Sequence, residues 1–366
     1  MENLLKAEFM KERSVTMRKI RVMIVDDTLV FRSFLTATLS ADPEMQIVGS
    51  FAGAGEALER ISILKPDVMT VDMEMPKMSG DEFMKIALPR HPNLKAVVVS
   101  SISNKVFDAM QAGAIDFVAK PGFRPGYDNQ HFAKEIIEKI KIAAAARVQT
   151  AEGAGSARTV AAAQKPPPVR PALHCSTARS IIAIGASTGG TEAILEVIKR
   201  FPKSAPATVV VQHMPEGFTS MYAQRANGIC DMEVREAKNG DRAEKGVVLI
   251  APGGNNQLQV KKDMGGYHIH LAPTGKVSGH CPSVDVMFNS VAEAGGKDAV
   301  GVLLTGMGSD GANGLHAMKR AGAFTIGQDE KSSVIYGMPK VAFDIGAVTQ
   351  QLPLQSIGEA VLKRFY

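Results

Sequence analysis

A regular alternation of strand and helix patterns constrains this chain more than any other feature. From residue 19, short apolar runs of strand length occur at 21–25, 46–51, 67–71, 96–99 and 116–119. Helical periodicity lies between them, and a long helix is predicted from about 131 to 147. Such alternation favours a doubly wound parallel sheet, whose right-handed crossovers bring all strand carboxyl ends to one edge. We predict a flavodoxin-like α/β domain of strand order 2-1-3-4-5.

Polar side chains stand where these predicted strands end. Asp26 and Asp27 follow the first strand, Asp72 the third, Ser100 the fourth and Lys120 the fifth. Carboxylates at one edge repel by about 4 kcal/mol per close pair at an effective dielectric of about 20, and Mg²⁺ removes that penalty. A lysine and a hydroxyl beside them suit a phosphoryl group. The alternative, helix caps and a surface lysine, does not account for so many strand ends at once.

These residues resemble a response-regulator receiver domain over about 19–148. The resemblance is carried by Asp26-Asp27, Val71-Asp72-Met73-Glu74-Met75-Pro76, Ser79-Gly80, Ser100 and Lys120-Pro121. It implies that Asp72 accepts a phosphoryl group from a histidine kinase and that Asp26, Asp27 and Asp72 hold Mg²⁺. It also implies that Ser100 and Lys120 sense the phosphoryl group. Phe117 stands where many receivers carry a tyrosine, so we assign it no switching role.

Two stretches lack the pattern of a folded domain. Residues 1–18 form an N-terminal extension without a predicted role. Residues 149–178 are rich in Gly, Ser, Ala and Gln and then in proline, a composition typical of a flexible tether with a polyproline spacer. We therefore predict a receiver at 19–148, a linker at 149–178 and a second domain at 179–366.

The second domain begins with a buried strand, a glycine-rich turn and a helix. Ser187 lies in the turn between Gly185 and Gly189, and Thr191 is the predicted N-cap of the helix. A serine in such a turn stands clear of the backbone beside the positive end of a helix. By itself the pattern also fits a tight turn with an incidental serine.

More strands follow at 207–211, 247–251, 299–304 and 323–326, with a helix at 311–321. The runs 258–262 and 267–271 flank a turn and predict an antiparallel hairpin. The second domain is therefore predicted to be doubly wound α/β, mostly parallel, with an added hairpin.

Three polar residues of this domain follow predicted parallel strands. Ser187, His213 and Asp310 are expected at the same sheet edge, where α/β folds place their sites. They are the set needed for acyl transfer: a nucleophile, a proton carrier and a carboxylate that orients it. The turn at Met307 is a candidate source of an oxyanion-binding N–H. Each residue alone also fits a loop histidine, a helix cap or a turn.

The second domain resembles the CheB chemotaxis methylesterases from about residue 180 to the last residue. The matching motifs are Gly185-Ala186-Ser187-Thr188-Gly189-Gly190-Thr191-Glu192-Ala193, Gln212-His213-Met214-Pro215, Ala251-Pro252-Gly253, Gly279-His280-Cys281-Pro282-Ser283-Val284-Asp285 and Thr305-Gly306-Met307-Gly308-Ser309-Asp310-Gly311. The family's catalytic Ser, His and Asp fall on Ser187, His213 and Asp310. Thr188, His280 and Met307 match residues that line its site. Cys281 stands where the family often has Arg, and a Cys–His nucleophile is disfavoured because it has no third partner.

The two resemblances together imply a phosphorylation-activated protein-glutamate methylesterase and protein-glutamine glutaminase. Its substrates would be glutamyl methyl esters and glutamines of methyl-accepting chemoreceptors, and its phosphodonor a chemotaxis histidine kinase. Mg²⁺ would serve the Asp72 site and no cofactor the hydrolysis. We expect the unphosphorylated receiver to cover the Ser187 edge.

Composition excludes several other classes. The net charge is +5, tryptophan is absent and no basic cluster interleaves with aromatics, so nucleic-acid binding is not predicted. Three scattered cysteines, no membrane-length apolar run and no signal-peptide core predict a cytoplasmic protein without membrane insertion. Two alternatives stay open: a non-catalytic two-component adaptor, and a nucleotide-binding output domain, although the glycine-rich turn lacks the P-loop lysine and fails G-x-G-x-x-G.

Overall fold

The structure is a computed structural model that describes residues 18–101, 105–121, 128–147 and 180–365. The chain divides into two compact units, residues 1–145 and 146–366. All but the last residue of the predicted N-terminal extension, and the whole predicted linker, lie outside the described residues.

The described part of the first unit is a parallel sheet with five helices. Its strands are β1 (Ile20–Val25), β2 (Met45–Phe51), β3 (Val68–Asp72), β4 (Lys95–Ser100) and β5 (Asp116–Ala119). Its helices are α1 (Leu29–Ser40), α2 (Ala54–Leu64), α3 (Gly80–Arg90), α4 (Lys105–Gln111) and α5 (Asn129–Ala145). All neighbouring strands are parallel, in the order β2-β1-β3-β4-β5. The predicted flavodoxin-like order is confirmed.

The continuous apolar runs explain why the sheet is central to this unit. Every residue of β3 and β5 is buried, because helices cover both faces of a doubly wound sheet and leave neither face for polar side chains. Turn signals end the helices where the sequence indicated. Helix α1, for example, ends at Ser40, shortly before Asp42-Pro43.

The second unit is built on a larger parallel sheet. Its strands are β6 (Ile181–Ala186), β7 (Ala207–Gln212), β8 (Glu233–Glu236), β9 (Val247–Ile250), β10 (Gln257–Asp263), β11 (Gly266–Ala272), β12 (Ala299–Leu303), β13 (Phe324–Gln328) and β14 (Gln350–Leu352). Its α-helices are α6 (Gly190–Ile198), α7 (Phe218–Asn227), α8 (Val284–Gly295), α9 (Ala312–Arg320), α10 (Met338–Asp344) and α11 (Leu354–Leu362). Seven strands form one parallel sheet in the order β14-β13-β12-β6-β7-β9-β8, and β10 and β11 pair separately as the predicted antiparallel hairpin.

Two predictions about local structure need correction. The short edge strands β8 and β14 carry no alternating apolar pattern, and the sequence analysis missed both. Thr191 is not the N-cap of α6: the cap is Gly189, whose φ of 74° is left-handed, and the helix begins one residue later at Gly190. The glycine takes the cap because this turn requires a backbone conformation that threonine rarely adopts.

No helix among the described residues is long and apolar enough to cross a membrane.

Candidate active site and phosphorylation site

Strand register brings Ser187 and His213 to neighbouring positions. Strands β6 and β7 pair up to Ala186 opposite Gln212, so Ser187 and His213 are the residues that follow on each strand. The His213 N–H donates to the Ala186 carbonyl at 3.2 Å, and the Ser187 N–H donates to the Thr305 carbonyl after β12 at 3.0 Å. The structure therefore gathers residues that follow three adjacent strands.

Asp310 completes this group through a direct contact with His213. The His213 Nε2 and the Asp310 Oδ2 are 2.8 Å apart, and both side chains are buried. Asp310 also accepts hydrogen bonds from the Ser283 hydroxyl at 2.7 Å and from the Val284 and Asp285 N–H groups at 2.7 and 3.1 Å. Burial disfavours the charged carboxylate, but the bond and charge of His213 and the other donors outweigh it, and the pKa of Asp310 is lowered.

The other nitrogen of His213 is left for a substrate or nucleophile. Its Nδ1 is buried and makes no hydrogen bond with any part of the chain that the structure describes. Since Nε2 faces Asp310, the proton held between them leaves Nδ1 as the basic nitrogen. Ser187 follows the adjacent strand and is 8% exposed. Nδ1 is therefore the nitrogen of His213 that is available to act as a base.

The three residues predicted to line the site take different positions. The His280 ring stacks on the His213 ring, with centroids 3.7 Å apart and planes at 8°. Thr188 is buried, and its carbonyl accepts from the Thr305 hydroxyl at 3.0 Å. Met307 is half exposed, and its N–H donates to no described residue. His280 thus touches the triad directly, while Met307 leaves an N–H free at the same edge.

Close backbone approach at Gly306 holds the serine turn in place. A Cβ added to Gly306 would lie 2.7 Å from the Ser187 Cβ and 2.3 Å from the Met338 sulfur. Any side chain at this position would therefore push the turn that carries Ser187. The glycine in the Thr305-Gly306-Met307 run is needed for packing as well as for turning.

Three residues that contact the site were missed by the sequence analysis. Ser283 and Asp285 appeared in the matched motif without a role, and Gln257 was not singled out. A serine followed two residues later by an acidic residue, at the start of helix α8, is a helix N-terminus signature that could have indicated a buried helix end. Gln257 offered no such local signal.

At the receiver edge, Lys120 bridges two of the predicted carboxylates. Its Nζ lies 2.9 Å from an Asp26 oxygen and 2.7 Å from an Asp72 oxygen. Burial of Lys120 opposes its charge, but Asp72 and Asp26 outweigh it and the pKa of Lys120 is raised. Ser100 is buried at the end of β4, where its neighbour Val99 pairs with Asp72, and its hydroxyl donates to the Ser101 carbonyl at 2.7 Å. The predicted residues converge here.

The same edge has the donor set of a divalent-cation site. Oxygens of Asp26, Asp27 and Asp72 lie within 4.8 Å of one another. Burial raises the pKa of Asp72, and the nearby charge of Asp26 adds to this, although Lys120 opposes both. Hard cations such as Mg²⁺ prefer carboxylate oxygens and would relieve this crowding of charge. The residues present therefore fit Mg²⁺.

Comparisons with known proteins agree with this geometry. The family profile of the CheB methylesterase matches residues 182–361, and that of the response regulator receiver domain matches residues 22–125. A protein-glutamate methylesterase/protein-glutamine glutaminase of Syntrophomonas wolfei is 49% identical over 95% of this chain and 98% of its own. A protein of the same name from Agrobacterium fabrum is 46% identical over 94% of this chain and 96% of its own length.

A solved structure supports the fold of the second unit. The crystal structure of the Thermotoga maritima CheB methylesterase catalytic domain is 35% identical, with a TM-score of 0.50. The match covers 51% of this chain and 98% of the Thermotoga maritima chain. With the sequence relatives above, the chain belongs to the CheB family of protein-glutamate methylesterases/protein-glutamine glutaminases that carry a response-regulator receiver domain.

Proposed function

We propose that this protein hydrolyses glutamyl methyl esters on chemoreceptors, with release of methanol, and deamidates certain receptor glutamines. The supporting observation is the buried His213–Asp310 pair, in which His213 directly follows β7, the strand beside the one that Ser187 follows. Ser187 is the nucleophile, His213 the proton carrier and Asp310 the group that orients it.

The first half of the reaction forms an acyl-enzyme. The Ser187 Oγ attacks the ester carbonyl carbon while its proton passes to the His213 Nδ1. The carbonyl oxygen becomes an oxyanion, for which the Met307 N–H is the candidate donor. The intermediate collapses, the C–O bond to the methoxy group breaks, and His213 returns the proton to release methanol.

The second half restores the enzyme. Water loses a proton to the His213 Nδ1 and attacks the acyl carbon, and collapse returns the proton to the Ser187 Oγ and leaves a glutamate. Asp310 keeps the Nε2–H tautomer and stabilises the imidazolium formed in each half. Deamidation follows the same path with ammonia as the leaving group.

We propose that phosphorylation of Asp72 by a histidine kinase activates this reaction. Asp26, Asp27 and Asp72 would hold Mg²⁺, which when bound supplies positive charge that offsets the phosphoryl oxygens. Lys120, whose Nζ lies 2.7 Å from an Asp72 oxygen, would pair with a phosphoryl oxygen there, and Ser100 would donate its hydroxyl to another.

We propose that this regulation uses a receiver at 19–148, a linker at 149–178 and a catalytic domain at 179–366. The substrate helices would be those of a chemoreceptor's cytoplasmic part, which places the enzyme in the cytoplasm.

Methanol release from methylated receptor membranes tests both proposals. The full chain should release methanol, faster with a small phosphodonor and Mg²⁺, and Ser187→Ala should release none. Asp72→Ala should keep the basal rate and lose the stimulation. A hydroxyl-directed serine probe should label the wild type at Ser187, whereas a non-catalytic adaptor would stay unlabelled. Activity in Ser187→Ala, or full stimulation in Asp72→Ala, would contradict the corresponding assignment.

A further inference from the structure

The amide of Gln257 fastens one loop of the catalytic unit at three points. Gln257 begins β10 and is fully buried. Its Nε2 donates to the carbonyls of Gly275 and His280 at 2.8 and 3.1 Å, and its Oε1 accepts from the Ser283 N–H at 2.7 Å. A single side chain thus bonds three points of the loop between β11 and α8.

Two of these points carry the groups that touch the catalytic residues. His280 places its ring on the His213 ring at a centroid distance of 3.7 Å. Ser283 donates its hydroxyl to the Asp310 Oδ1 at 2.7 Å. Gln257 itself bonds to neither His213 nor Asp310, so any effect it has on them passes through the loop.

The chemistry of this position suits a neutral amide. Two carbonyls need a donor and one N–H needs an acceptor, and a primary amide supplies both from one planar group. A hydrocarbon supplies neither, and an ionised carboxylate supplies only the acceptor. A neutral group also adds no charge close to Asp310.

We propose that Gln257 is a positioning residue for the ester hydrolysis: it sets the His280 ring against His213 and the Ser283 hydroxyl against Asp310 at the same time. This inference rests on the proposed hydrolase function for its kinetic consequence, but the ring stacking that it predicts can be measured without any substrate.

Gln328 offers a matched control in the same unit. It is also fully buried, its Oε1 accepts from the Thr305 N–H at 2.7 Å and its Nε2 donates to the Ser332 carbonyl at 2.8 Å. Its amide is thus also a buried donor and acceptor, but it bonds Thr305 and Ser332 and not the loop that carries His280, so it is a control for the ring stacking alone.

The first experiment records histidine ring-proton chemical shifts by NMR on the full chain, in wild type, Gln257→Met and Gln328→Met. Spectra of His213→Ala and His280→Ala assign the two rings. A ring stacked at 3.7 Å displaces its neighbour's signals. We expect this mutual displacement to vanish in Gln257→Met and to persist in Gln328→Met. Its persistence in Gln257→Met would overturn the proposal.

The second experiment measures methanol release. Gln257→Met should lower kcat by about 10- to 100-fold, the range expected when catalytic groups are misplaced, and change KM less than twofold. In a His280→Ala/Ser283→Ala background the same substitution should cost less than about threefold more, because the groups it positions are gone. An undiminished loss in that background would show general support of the fold and overturn the proposal.

Gln257→Glu serves if the methionine variant does not fold. The glutamate side chain keeps an acceptor for the Ser283 N–H, and even if burial keeps it protonated it has one donor for two carbonyls, so the His280 stacking signal should be weakened or lost. Retention of that signal in the glutamate variant would overturn the proposal. A wild type that shows the stacking signal but releases no methanol would instead contradict the proposed function.

Discussion

Asp310, which precedes α9, accepts hydrogen bonds from the start of α8, and Asp285, which lies in α8, accepts one from the start of α9. Asp310 accepts from the Val284 and Asp285 N–H groups at the start of α8, and the Asp285 Oδ1 accepts from the Gly314 N–H at 2.7 Å in the first turn of α9. Two helix N-termini, each with unpaired donors and a positive end, are satisfied by exchanged carboxylates. The exchange holds Asp310, and through it His213, in place.

Asp285→Ala should therefore weaken both stability and catalysis. The Gly314 N–H loses its buried acceptor at a cost of about 1–3 kcal/mol, and the start of α9 is free to shift Asp310. Asp285→Asn is the matched control, because the amide oxygen can still accept from Gly314. We expect the alanine variant to lose stability in urea and to lower kcat, and the asparagine variant to retain most of both. Equal losses in the two variants would show that the accepted hydrogen bond is not the cause.

Gly306→Ala should disable the catalytic serine through steric contact alone. The added Cβ would lie 2.7 Å from the Ser187 Cβ and 2.3 Å from the Met338 sulfur. A displacement of the nucleophile of the order of 1 Å lowers rates about 100-fold, so labelling by a serine probe and methanol release should both fall by that factor. Gly228→Ala is the control: its φ is −72° and a Cβ there meets nothing closer than 3.5 Å. Normal labelling of Gly306→Ala would contradict this account.

Acidification should change the contributions of Asp310 and Asp285 to the stability of the fold in opposite directions. Burial opposes the charge of Asp310, but hydrogen-bond donors, chiefly His213, outweigh it and lower the pKa of Asp310. The ionised carboxylate therefore stabilises the fold. This stabilisation is lost as pH falls from about 3.9, the ordinary pKa of aspartate, through the lower pKa of the folded state. Burial and the charge of Asp310 raise the pKa of Asp285, so its charge is destabilising and protonation relieves it. The Tm of wild type minus that of Asp310→Asn should shrink below about pH 4. The Tm of wild type minus that of Asp285→Asn should instead increase as pH falls. Parallel trends would refute the assignment of these two carboxyl groups.

Asp72→Asn should raise the stability of the receiver at neutral pH. Burial and the charge of Asp26 raise the pKa of Asp72 despite Lys120, so the ionised carboxylate is a net cost to the fold at pH 7. We expect a higher Tm for the receiver transition of the full chain, assigned by hydrogen exchange. Added Mg²⁺ should stabilise the wild type more than the variant, since the variant lacks one of the three carboxylates. The exposed Asp108 supplies a control, and Asp108→Asn should leave both the Tm and the Mg²⁺ response near wild type. A lower Tm for Asp72→Asn would mean that its pair with Lys120 dominates.

The sequence by itself determined the two α/β folds and the residues that follow their strands. Strand and helix periods are local properties, and parallel strands joined by right-handed crossovers must end at one edge, so Ser187, His213 and Asp72 could be placed before any contact was known. The hairpin and the strand order of the receiver followed from the same rules. The predicted N-cap of α6, Thr191, lies two residues after the observed cap, Gly189. The sequence did not indicate this because the left-handed turn at Gly189 depends on the close packing around it.

Only the tertiary structure decided how the side chains meet. His213 and Asp310 lie 97 residues apart in the chain, and which ring nitrogen faces the carboxylate depends on the register of three strands. The exchange between Asp285 and Asp310 and the anchoring by Gln257 depend on buried donors that need acceptors at particular points in space. Such pairings leave no periodic pattern in the sequence. A buried polar group needs a partner wherever the packing places it, and that place depends on residues far away in the chain.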